Sequence, residues 1–143
     1  MNKCAWFAVG IVLLSGLAPA EVRRPAVGGN KIEETNRVIN DCEKRTNQFK
    51  RSVSLKVKGD APNLQRDGGQ LEEGLNRVGD SWNRDHDPQK TRAFVTASIT
   101  VGQQINRSMV TFRDPGDVAS QWTAVRSELN QLAQTFGLPA IRS

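Results

Sequence analysis

Four times along this chain, apolar and small residues recur at alternating steps of three and four, with turn-forming residues between the runs. Such steps keep every member of a run on one stripe of an α-helix, because about 3.6 residues complete a turn. The first run is Ile32, Thr35, Ile39, Cys42, Thr46, Phe49 and Val53, with Asn30 and Glu33 spaced as a capping box. The second is Leu64, Gly68, Leu71, Leu75, Val78 and Trp82, opened by Asp60, Ala61 and Pro62. The third is Phe94, Ser98, Val101, Ile105, Ser108 and Phe112, opened by Asp87 and Pro88. The fourth is Val118, Trp122, Val125, Leu129, Leu132 and Phe136, opened by Asp114 and Pro115 and closed by Gly137 with Pro139 just beyond. No strand-like alternation competes with this pattern.

Helices of roughly 22 to 27 residues, at about 1.5 Å per residue, make rods of roughly 33 to 40 Å. Short connections force successive rods to run antiparallel. The pattern therefore predicts an all-α domain over residues 30–143, an antiparallel up-down-up-down four-helix bundle. In that topology Trp82 and Trp122 fall at opposite ends. Trp82 should meet Ile32, Phe94 and Phe136, and Trp122 should meet Leu64, Phe112 and Phe49 or Val53.

Residues 1–20 read differently: Lys3, an apolar run from Ala5 to Leu14, then Ala18, Pro19 and Ala20. This order predicts a secretory signal peptide of bacterial type, and residues 21–29 then form a flexible lead. A periplasmic or secreted protein follows, with no transmembrane anchor, because no second apolar run is long enough to span a bilayer. The net charge of +5 is a modest basic excess, and basic residues do not interleave with aromatic ones. No nucleic-acid partner is expected.

The only histidine, His86, stands between Asp85 and Asp87. Metal sites in bundles draw inward ligands from several helices, and no Glu-x-x-His pair occurs here, so His86 reads as part of a solvated interhelical turn. There is no Cys-x-x-Cys-His for haem attachment, and no cofactor or metal is expected. No serine stands near the histidine to be activated, and the acidic pairs Glu33-Glu34 and Glu72-Glu73 diverge by about 100° on a helix, so an enzyme is not expected either. Cys42 lies on an inward stripe, where a thiol packs inertly; an intermolecular disulfide is the alternative.

Two surfaces remain as candidates. Lys44, Arg45, Lys50, Arg51, Lys56 and Lys58 form a basic face at the end of the first helix, with no acid after Glu43. Cations complement a helix C-terminus, but this many could also meet an anionic envelope component. The third helix carries no charge between Arg92 and Arg107. There Val95, Ile99, Gln103 and Val110 lie off the main stripe and form either an interaction face for a protein partner or for self-association, or a widened core stripe. The functional expectation is a non-enzymatic exported bundle with an envelope interaction or structural role. The alternative is a small-ligand or ion carrier, with the glycine-rich second helix walling a cavity between helices.

Overall fold

Each periodic segment folds as an α-helix in a computed structural model, which describes residues 28–56, 62–112 and 116–142. The helices are α1 (Gly29–Lys56), α2 (Pro62–Asp85), α3 (Pro88–Thr111) and α4 (Asp117–Thr135). They form the antiparallel four-helix bundle that the hydrophobic period predicts. Each helix packs against its two neighbours in the order α1, α2, α3, α4, and α4 closes on α1. The seam between α3 and α4 is the least extensive. The expected signal peptide and most of the expected lead, together with Lys58, the expected Asp60 cap and the expected helix start at Asp114–Pro115, lie outside the described residues.

Three stripes are buried as the spacing requires. On α1 the buried residues are Thr35, Ile39, Cys42, Thr46, Phe49 and Val53, with Ile32 only partly covered. On α2 every stripe member from Leu64 to Trp82 is buried, and α4 buries Val118 to Phe136 likewise. The third stripe differs. Its buried residues are Thr91, Val95, Ser98, Ile99, Gly102 and Ile105, whereas Phe94 is 39% exposed. The helix is rotated so that small residues face inward, which lets its neighbours come close. A Cβ on Gly74 of α2 would stand 2.8 Å from Ser98 Oγ, and one on Gly102 would stand 2.7 Å from Ile141 Cδ1.

The rings sort to the two ends as the topology demands. Trp82 meets Phe136 edge-on at 5.8 Å, and Trp122 meets Phe49 at 5.5 Å. The indole N–H of Trp122 donates to Asn106 Oδ1 at 3.0 Å, while that of Trp82 has no acceptor among the described residues.

Helix ends follow local chemistry. Asp87 caps α3, accepting from Gln89 N–H at 2.9 Å, with Pro88 at the first helical position where a missing N–H costs nothing. Gly137, at φ +64°, closes α4: its N–H donates to Gln134 O and that of Leu138 donates to Ala133 O, a Schellman motif. The expected capping box at Asn30 is not formed. The helix already starts at Gly29, and Gly28 O accepts from Lys31 and Ile32, so Asn30 sits inside the first turn.

Beyond α4 the chain turns back along the α3–α4 seam. Ile141 is buried, its N–H donates to Asn130 Oδ1 at 2.7 Å, and Asn106 Nδ2 donates to Arg142 O at 3.0 Å. The tail thus fills the seam where the two helices themselves touch least.

Candidate functional site

Of the residues expected to form an interaction face on α3, Val95 and Ile99 are core residues, 0% and 5% exposed. Gln103 is half-buried and Val110 is 80% exposed. No common surface contains all four. The inward rotation of α3 accounts for this, because two of the residues read as a second face, Val95 and Ile99, belong to the core stripe, whereas Val110 does not. Gln103 and Val110 do line a shallow depression of about 440 Å³ beside the tail, with Pro139 and Ala140.

The basic face is divided. Lys50 pairs with Glu72 on α2, and Lys56 pairs with Asp117 on α4, so two of its cations tie α1 to its neighbours. Lys44, Arg45 and Arg51 remain exposed on the outer side of α1. Arg45 donates to the nearby Gln48, and among the described residues no carboxylate pairs with Lys44 or Arg51.

His86 is not simply solvated. It holds φ +50° as the residue after α2, its N–H donates to Trp82 O at 2.8 Å, and its ring lies edge-on to the Trp82 indole at 5.5 Å. The ring is half-buried and closes that end of the core. Cys42 is fully buried, and burial above all, with Glu128, Asp41 and Glu43 adding repulsion, pushes its thiol far above the ordinary range. A thiolate is suppressed there. Among the described residues no cluster of three metal-ligating side chains occurs, and no helix is long and apolar enough to cross a membrane.

A site that the sequence reading did not single out lies between α1 and α2. A groove of about 460 Å³ is lined by Asn36, Asn40 and Glu43 from α1 and by Asn76, Asp80 and Asn83 from α2, with Ile39 and Gly79 beneath. Both triplets have the spacing i, i+4, i+7, so each forms a row along one helix face. The antiparallel course brings Asn36 level with Asn83 and Glu43 level with Asn76. Gly79 opens the floor: a Cβ there would meet Glu43 Oε1 at 3.0 Å and Ile39 Cγ2 at 3.7 Å. Burial first, and the charge of Asp80 second, raise the Glu43 pKa above the ordinary value. Among the described residues, none of the six polar side chains is held by a hydrogen bond or ion pair to another side chain. The spacing was visible in the sequence as Asn-x3-Asn-x2-Glu and Asn-x3-Asp-x2-Asn, but a single row of amides on a helix looks like ordinary surface until its partner row is known. Gly68 and Gly74 of the same helix open no cavity, because they lie against Lys50 and Ser98.

Compared with protein families, curated proteins and solved structures, the chain matches none.

Proposed function

We propose that the chain is exported and acts without catalysis, as a helical-bundle module that docks on an anionic component of the bacterial envelope. The observation that supports this reading is the outer edge of α1, where Lys44, Arg45 and Arg51 stand exposed with no acidic residue after Glu43 on that helix. Each cation close to an anionic surface is worth about 1 kcal/mol at moderate salt. Three together give roughly 3 kcal/mol, or about a hundredfold in affinity, which is enough for reversible, salt-sensitive attachment.

The test is co-sedimentation with vesicles containing phosphatidylglycerol, set against purely zwitterionic vesicles and against a soluble polyanionic glycan. Binding to an anionic partner that falls with added salt, and that Lys44→Glu, Arg45→Glu and Arg51→Glu together abolish without loss of helical circular dichroism, is the expected result. Equal binding by that variant sinks the reading.

A second reading, a carrier of a small ligand, is favoured by one observation: the polar groove between α1 and α2, with Gly79 of α2 in its floor.

A further inference from the structure

We propose that the α1–α2 groove binds a linear polyamine. The inference rests on the carrier reading and names the class of ligand.

Sign comes first. The lining holds two carboxylates, Glu43 and Asp80, and no lysine or arginine, on a chain whose net charge is +5. An anion would be repelled there. A cation would be attracted, and it would relieve the mutual repulsion of two neighbouring carboxylates, of which Glu43 is partly desolvated.

Shape comes next. Each row spans seven residues, a rise of about 10.5 Å along the helix. A groove of that length, lined on both sides at three levels, suits an extended ligand with several separated donors rather than one compact ion. Divalent metals in protein cages call for more carboxylates or a tighter shell of oxygens, and no group of three acidic, histidine or cysteine side chains is found among the described residues. A sugar would want an aromatic ring to stack on, and none lines this groove.

Donor and acceptor chemistry then agrees. The carboxamide oxygens of Asn36, Asn40, Asn76 and Asn83 and the two carboxylates are acceptors that no other side chain among the described residues holds, and every nitrogen of a protonated polyamine is a donor. Between its nitrogens such a molecule has short methylene runs. These would lie over Ile39 and the bare backbone of Gly79, where any larger residue would fill the floor.

The experiment is isothermal titration of the full chain with spermidine at low ionic strength, followed by amide-side-chain NMR. Saturable one-to-one binding is expected, with shifts confined to the side-chain NH2 signals of Asn36, Asn40, Asn76 and Asn83. The pair Glu43→Gln and Asp80→Asn should weaken it at least tenfold while the melting temperature is kept or raised. The control pair Glu34→Gln and Asp117→Asn, which removes the same charge away from the two rows of the groove, should leave affinity within twofold. Equal loss in the control would show diffuse charge attraction and overturn the site. Calcium chloride shifting the same asparagines while spermidine does not would keep the carrier reading and overturn the ligand class. No shift with either probe would overturn both.

Discussion

Trp122 donates its indole N–H to Asn106, which also accepts from Arg126 at 3.4 Å, whereas Trp82 buries its N–H without an acceptor. Replacing either by phenylalanine removes similar volume, so the difference between the two isolates the hydrogen bond. Trp122→Phe should cost about 0.5 to 1.5 kcal/mol more than Trp82→Phe in urea unfolding; equal costs would mean that the Asn106 bond contributes nothing net. Glu43 gives a second residue-level prediction, in its dependence on pH. Its folded pKa is raised by burial and by Asp80, so between the ordinary value of 4.5 and the folded value the native state holds the extra proton. Stability from this group therefore falls as pH rises through that window, and the penalty is complete above the folded pKa. Glu43→Gln should be more stable than the parent at pH 7, with the gap closing as pH falls below 4.5. Asp85 and Asp117 have the opposite sign, because their ion pairs with Lys90 and Lys56 lower their pKa values. What those pairs add is present above the ordinary 3.8 and is lost as pH falls through the folded value. Both ion pairs lie at the surface, so solvent screens the effect, and the Glu43 variant should dominate the difference between pH profiles.

At the level of the helix, α3 is where reading from sequence and folding diverge. Val95→Ala should cost roughly 1.5 to 3 kcal/mol, because a fully buried side chain is truncated, while Phe94→Ala at the exposed rim should cost less than about 1 kcal/mol. The reverse order would contradict the rotation of α3 described above. Stripes on α1 and α2 were legible because charged residues mark their outer faces, and that on α4 because large apolar residues fill every one of its positions. Between Arg92 and Arg107 α3 has no such mark, so Phe94 and Val101 looked as eligible for the core as Val95 and Ile99. What decides the rotation is close approach at Ser98 and Gly102, and close approach depends on neighbours distant in sequence. The same limit hid the α1–α2 groove, whose two rows are readable singly but meaningful only when paired. Gly102 also links α3 to the tail. Gly102→Ala would put a Cβ 2.7 Å from Ile141 Cδ1 and 2.9 Å from Leu129 Cδ1, an overpacking worth about 1 to 3 kcal/mol. Ile141→Ala removes the nearer obstacle. In a double-mutant cycle the alanine at position 102 should therefore cost less when position 141 is already alanine. Strict additivity would show that the tail does not lie in that seam.

Across the whole molecule, the bundle is held unevenly. The α1–α2, α2–α3 and α1–α4 seams are long, and the last is braced by Phe49 against Trp122 and by Lys56 against Asp117. The α3–α4 seam is short, and the returning tail completes it through Ile141, Asn130 and Asn106. Removing the residues after Leu138 leaves the Schellman closure of α4 intact, because its last donor is the Leu138 N–H. It strips the seam of a buried isoleucine, a loss of about 2 to 5 kcal/mol by analogy with isoleucine truncation. A bundle with a typical stability of roughly 5 to 15 kcal/mol would survive that, but with its weakest seam exposed. Native-state hydrogen exchange should then show α3 and α4 amides near Ile105 and Trp122 opening at lower free energy than those of α1 and α2, which still hold each other along a full-length seam. Uniform loss of protection in all four helices would mean that the bundle opens as one cooperative unit, with the tail only one more core contact. Selective loss would mean that the chain end latches one side of a framework whose opposite side, the α1–α2 pair with its polar groove, stays rigid.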